Sequence, residues 1–140
     1  YNTKAEVRQS EPYVIGQTTY SSVSPRAGNT RVSWLSGAAT WNYYSITQYM
    51  LGIRPQYDGL LLDPCLKSDW DGFTADRRWR GMNLHIEVKN PQHVNKGIEY
   101  IEVDGKKIEA AVVPVSMLKD GSKIVAYMGK NAVAVENERM

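Results

Sequence analysis

The sequence predicts an α+β chain: a helical piece at the front, then an antiparallel β-sandwich of jelly-roll type. Three observations predict it. A run from Ser36-Gly37 to Leu51 has no charge and no proline, and Gly52 and Pro55 close it. Beyond Gly52 the apolar rhythm drops to period two, most plainly in Met82, Leu84, Ile86 and Val88. Asp104-Gly105 then separates two apolar stretches, and both residue types tolerate the positive φ of a tight hairpin. These features divide the chain into residues 1-52 and 53-140, with the change of period near Leu51 to Pro55.

In the first part, Tyr1 to Ser10 carries the helix formers Lys4, Ala5, Glu6, Arg8 and Gln9, and Pro12 ends it. Tyr1 falls in the middle of this helical pattern, so the start of the chain reads as a cut end. Residues 16 to 33 are rich in Gly, Ser, Thr, Asn and Pro and predict an irregular loop. The uncharged run that follows is apolar or aromatic on nearly every side, with Trp41, Tyr43, Tyr44, Ile46, Tyr49 and Met50 spread round the helix. Such a helix belongs inside a larger structure. These 140 residues do not obviously supply enough neighbours to cover it. Its aromatic residues, with Trp34, are expected mainly as core, one or two ring edges reaching a pocket.

In the second part, Phe73 to Trp79 and Met82 to Lys89 predict neighbouring strands. Ile98 to Val103 and Lys106 to Ala110 flank the Asp104-Gly105 turn, and Ile124, Ala126 and Met128 mark a last strand. Short strands separated by Gly, Asn, Asp and Pro suit an antiparallel sandwich.

Composition narrows the partners. The apolar share of 42% supports a buried core. With 17 basic and 15 acidic residues the net charge is only +2, which gives no footing for nucleic acid or an anionic membrane. No stretch reaches the ~20 apolar residues of a membrane span. Cys65 is the single cysteine, in an apolar setting that predicts an inert buried thiol, and it excludes an internal disulfide. His85 and His93 are not spaced with carboxylates as metal ligands, so no metal is expected. Asp69, Asp71 and Asp76 read as solvated surface carboxylates rather than as an acid/base pair.

The most informative local feature is Trp34-Leu35-Ser36-Gly37-Ala38-Ala39-Thr40-Trp41. Ser36 suits an N-cap, and Gly37 lets another group approach the backbone. First-turn N–H groups lack internal partners and attract anions such as phosphate. The same residues also fit a plain cap packed against a neighbour. Gln17, in a loop, can donate and accept toward a sugar hydroxyl or a phosphate oxygen, or simply face water.

Several separate segments, in order, resemble glycoside hydrolase family 94, the family of cellobiose and chitobiose phosphorylases. They are Glu11-Pro12-Tyr13-Val14-x-x-Gln17, Ser33-Trp34-Leu35-Ser36-Gly37-x-Ala39-x-Trp41, Leu51-Gly52-Ile53-Arg54-Pro55, Asp63-Pro64-Cys65, Trp70-Asp71-Gly72-Phe73, Arg77-Arg78-Trp79-Arg80-Gly81 and Val88-Lys89-Asn90-Pro91. The resemblance covers roughly residues 6 to 128 and is to the C-terminal portion of the family's enzymes. It implies the last helices of an (α/α)6 catalytic barrel in 1-52 and the C-terminal sandwich in 53-140. It implies reversible, inverting phosphorolysis of a β-linked disaccharide, cellobiose first, to an α-sugar 1-phosphate and a free sugar. Inorganic phosphate is then a co-substrate, and no cofactor is needed.

Residue by residue, Ser36 and Gly37 match the family's phosphate-binding Thr-Gly pair, with serine keeping the hydroxyl. Gln17 matches a glutamine lining the same site. The catalytic aspartate and the other phosphate ligands of the family lie upstream, so no catalytic residue is assigned here, and the 140 residues alone are expected to be inactive. The resemblance further implies a homodimer when full length, contact with the upstream barrel, and a cytoplasmic setting in which a sugar phosphate is retained. The competing reading is a non-catalytic carbohydrate-binding or interaction sandwich, which should show a polar face on the helix from Ser36. A family member acting on chitobiose is the third.

Overall fold

The computed structural model describes residues 4–11, 14–33 and 37–134. The chain divides into two compact units, Tyr1–Ser45 and Ile46–Met140.

The first unit holds little regular structure. Helix α1 is one turn, Ala5–Arg8, stopped where Gln9 turns left-handed at φ 51°. Where an irregular loop was expected, two short strands, β1 (Thr18–Thr19) and β2 (Thr30–Arg31), pair antiparallel. Close backbone approach makes this possible: a Cβ on Gly16 would lie 1.9 Å from Thr30 Cγ2. Arg31 Nη1 donates to the Tyr20 hydroxyl at 3.0 Å, bracing the pair. Helix α2, Ala38–Tyr44, has Gly37 as its N-cap and no side-chain cap. The uncharged run therefore begins its helix one residue later than a Ser36 cap implies; Ser36 itself lies outside the described residues.

The backbone goes on as a π-helix, Ser45–Met50, in which the Leu51 N–H reaches the Ile46 carbonyl at 2.8 Å. Gly52, at φ 67°, ends it as expected. Glycine is required there for a second reason, since a Cβ would lie 2.2 Å from the carbonyl of Asp63.

The second unit is built on two sheets. The smaller comprises β3 (Ile53–Pro55), β4 (Gly59–Leu62) and β9 (Val112–Pro114), in the order β3-β4-β9. The larger comprises β5 (Gly72–Trp79), β6 (Met82–Lys89), β7 (Ile98–Val103), β8 (Lys106–Ile108) and β10 (Lys123–Met128). Its order is β5-β6-β10-β7-β8. The expectation of a wholly antiparallel arrangement needs correction, because β10 runs parallel to β6 with Ile124 opposite Ile86. The cause is topological: β6 and β7 do not pair with each other, and the last strand enters between them.

Both sheets contribute to one core. Leu60, Leu62 and Val113 of the small sheet join Leu84, Ile86, Ile101 and Ile124 of the large one, all essentially inaccessible. Alternation along β6 produces this, with Leu84, Ile86 and Val88 inward and His85 outward. A guanidinium group on β5 and another in the β5–β6 turn tie onto the backbone of the small sheet and of its β3–β4 connection. Arg77 Nη1 donates to the Ile53 carbonyl at 3.3 Å, and Arg80 Nη2 to that of Tyr57 at 2.6 Å.

The hairpin turns follow the backbone chemistry of their residues. Arg80 and Gly81 sit at φ 49° and 80°, and Asp104 and Gly105 at 48° and 84°. Positive φ at both central positions is the geometry that matches strand twist in a two-residue hairpin.

Candidate functional site

Gly37 stands at the head of α2, with its carbonyl accepting from the Trp41 N–H at 2.9 Å. Its φ of −72° is open to any residue, and among the described residues a Cβ there would meet the Trp41 ring, at 3.4 Å. Among those residues neither backbone strain nor packing demands glycine at this position. The partner predicted beside it, Ser36, lies outside the described residues, as does Trp34.

Gln17 sits at the foot of the β1–β2 pair. Its N–H is shared between the carbonyls of Arg31 and Val32, at 3.1 and 3.3 Å, and the residue is exposed. No hydrogen bond joins it to Gly37 among the described residues.

The aromatic residues of α2, expected mainly as core, are exposed: Trp41 by 70% and Tyr43 by 72%. Trp41 and Tyr44 meet edge to face at 6.4 Å, and with Thr40 they line a shallow apolar groove of about 280 Å³. The physical reason is the one the uncharged helix pattern anticipates: there is more apolar helix surface than this unit has residues to cover.

In the second unit the titratable groups are spread out rather than converged. Asp76 and Asp71 are solvated, as expected, with side chains 82% and 97% exposed. His85 is placed opposite Asp76 by the β5–β6 register, and its Nδ1 contacts Asp76 Oδ1. Thr74, Asp76, His85, Glu87 and Lys123 frame a shallow depression on the outer face of the large sheet. His93 bonds through Nδ1 to the Ser68 carbonyl at 2.9 Å.

Cys65 corrects the sequence expectation. It is exposed, not buried. Pro64 and Leu66 both point into the core, so in an extended segment the residue between them must face out.

Among the described residues, the carboxylates with displaced pKa values all move the same way. A hydrogen bond from Lys123 holds Glu87 below the usual glutamate value. The Lys123 backbone N–H does the same for Asp104, and that of Asn83 for Asp120. A proton donor at neutral pH needs a raised value, so these three are ill suited to general-acid work. No group of three His, Cys, Asp or Glu side chains among the described residues is placed to hold a metal ion.

Sequence reasoning missed buried polar centres in both units, two of them charged. Arg54 Nη2 meets Asp63 Oδ2 at 2.5 Å, with Lys96 Nζ at 3.4 Å from the same oxygen. Arg8 is 5% exposed. The Leu61-Leu62-Asp63-Pro64 context gave a signal for the first, since a carboxylate inside an apolar run implies a hidden partner. Nothing in the helix-forming pattern around Arg8 marks it as buried.

An uncharged, glycine-capped helix carrying exposed aromatic rings, next in the chain to a two-sheet β unit, defines an α+β chain. Residues 1–52 match the family described as "Glycosyl hydrolase 94 superfamily, catalytic domain". An N,N'-diacetylchitobiose phosphorylase of Vibrio proteolyticus is 37% identical over 124 residues, covering 89% of this chain and 16% of that protein. A second, from Vibrio furnissii, is 38% identical over 109 residues, 78% of this chain and 14% of its own. A solabiose phosphorylase of Paenibacillus borealis is 34% identical over 105 residues, 75% of this chain and 14% of its own. Among solved structures, a family GH92 α-mannosidase from Bacteroides thetaiotaomicron overlaps 74% of this chain and 13% of its own, at 17% identity and a TM-score of 0.45.

The chain belongs to the glycosyl hydrolase 94 superfamily. It spans about one sixth of the length of the curated relatives it matches.

Proposed function

We propose that this chain is the C-terminal part of a disaccharide phosphorylase that catalyses reversible, inverting phosphorolysis of a β-linked disaccharide to an α-sugar 1-phosphate and a free sugar. The observation that carries this reading is the 37% identity over 124 residues to a phosphorylase of that kind. On this reading 1-52, which the family model matches, closes an (α/α)6 catalytic barrel, and the two sheets within 53-140 form the C-terminal sandwich.

Ser36, Gly37 and Gln17 are then the chain's contribution to the site for inorganic phosphate, the co-substrate, and no cofactor takes part. Supporting this is a glycine at position 37 that sterics among the described residues do not require, which suits close approach by another group. The phosphate attacks the anomeric carbon while a carboxylic acid protonates the leaving oxygen from the opposite side. That acid belongs to the upstream barrel, and the 140 residues alone are inactive. Two relatives named for N,N'-diacetylchitobiose favour that sugar over cellobiose. A homodimer in the cytoplasm is part of the same reading.

The test is phosphorolysis by the full-length protein, offered phosphate with N,N'-diacetylchitobiose, cellobiose or solabiose, and followed by phosphorus NMR. Formation of an α-sugar 1-phosphate from one of them supports the proposal. Turnover by the 140-residue chain alone would contradict the assignment of the acid to the upstream barrel. A second reading, a free-standing carbohydrate-binding sandwich, predicts disaccharide binding by the chain without phosphate dependence.

A further inference from the structure

Arg8, the last residue of α1, is 5% exposed, and its Nη1 is buried with no hydrogen-bond partner among the described residues. It enters none of the ion pairs found among those residues. A guanidinium cannot shed its proton, so the charge persists. A buried charge without a counter-charge is strongly unfavourable. Two residues further on, Ser10 Oγ is buried and unpartnered as well.

The deficit is local. Nearby polar groups are matched: Asn29 Nδ2 donates to Gln9 Oε1 at 2.6 Å, and Ser33 Oγ to Glu11 Oε2 at 3.3 Å. Only at Arg8 and Ser10 does this unit leave buried polar atoms unanswered among the described residues.

We propose that Arg8, with Ser10 beside it in sequence, receives a side-chain carboxylate carried by a part of the same protein outside these 140 residues. The inference rests on reading the chain as part of a longer phosphorylase. A planar guanidinium takes a carboxylate through two parallel hydrogen bonds, and Ser10 Oγ offers a further donor. Nη1 is closed to solvent, so its partner has to be in place as the protein folds, which favours a chain-borne carboxylate over a diffusing ion. The relatives supply ample chain for it, since this one spans 16% of the first of them.

Arg8→Met, which keeps bulk and removes charge, tests the proposal in two settings. In the 140-residue chain, amide exchange is read at Arg8 and Gln9, whose N–H groups bond the Lys4 and Ala5 carbonyls at 2.9 and 2.8 Å. There the substitution slows exchange, on the order of tenfold, because it relieves an unpaired charge. In the full-length protein it instead lowers Tm by roughly 5 °C or more, while Arg8→Lys, which keeps the charge, lowers it less. Faster exchange in the Arg8→Met chain would overturn the idea, because Arg8 would then be satisfied internally. So would an unchanged Tm in the full-length protein, or inorganic phosphate slowing exchange in the wild-type chain and not in Arg8→Met. Failure of the phosphorylase reading itself would appear in the turnover assay and leave these stability readouts untouched.

Discussion

Arg54 on β3 and Asp63 just beyond β4 are nine residues apart, and the β3–β4 register brings them together at 2.5 Å. The Asp63 side chain is only 8% exposed and also receives Lys96 at 3.4 Å, while Arg54 Cζ lies 5.3 Å from the centre of the Tyr49 ring. The pair therefore ties the π-helix, the small sheet and the segment before β7 to one carboxylate. Asp63→Ala should destabilise the β unit by about 3 kcal/mol, because it strands a partly buried guanidinium whose Nε already lacks a partner. Urea unfolding followed by far-UV circular dichroism reads this.

Two glycines with positive φ predict different costs. At Gly81, φ 80°, a Cβ meets nothing within 4 Å, so Gly81→Ala should cost about 1 kcal/mol from backbone strain alone. At Gly72, φ 141°, a Cβ would lie 1.9 Å from the Val88 carbonyl oxygen across the β5–β6 ladder. Gly72→Ala should therefore cost at least 2 kcal/mol by estimate, about twice the first. Equal midpoints for the two variants in denaturant would refute the distinction.

Acid should loosen the large sheet from its turns. Asp104 accepts the Lys123 N–H at 2.8 Å, and Asp120 accepts the Asn83 N–H at 2.7 Å. Both have values lowered from 3.8 by those bonds, so they favour the folded state above that pH and lose the contribution as pH falls through their lower folded values. Stability should decline below about pH 4, and Asp104→Asn or Asp120→Asn should make the decline shallower. Thermal melts across pH 2 to 6, taken roughly at half-unit steps, decide it.

Cys65 should react with a thiol reagent in the folded 140-residue chain at a rate close to that of the unfolded chain. Its exposure follows from the inward turn of Pro64 and Leu66 on either side. Protection by a hundredfold or so would place the thiol inside instead.

Gly37→Ala separates folding from binding. Alanine is sterically admissible at φ −72°, so the chain's stability should fall by no more than about 1 kcal/mol, the cost of a poorer N-cap. In the full-length protein the same change should raise the KM for phosphate about tenfold or more. An unaltered KM would remove Gly37 from the phosphate site.

Much of this architecture was legible in the residues, for reasons that differ by element. β6 declared itself because one face is buried and the other wet, which forces alternation at Leu84, Ile86 and Val88. Asp104-Gly105 and Gly52 were legible because their backbone angles are costly for other residues. The small sheet was not. Leu60, Leu61 and Leu62 are all buried, so the run carries no period, and prolines end both β3 and β9. The hairpin within 16-33 was hidden because its strands are two residues long. Of the candidate site, Gly37 and Gln17 could be placed on elements. The burial of Arg8 and the exposure of Cys65 were invisible, because each depends on what packs nearby and not on local pattern.

The place of β10 in the sheet order also sets a schedule for assembly. The strand that lies between β6 and β7 is the last to be synthesised of the ten strands among the described residues. Until Lys123–Met128 leaves the ribosome, β6 and β7 each present an open ladder of backbone donors and acceptors to the surroundings. Nascent chains halted before that point are therefore exposed to mispairing, and the growing protein depends on a late insertion to seal its own middle.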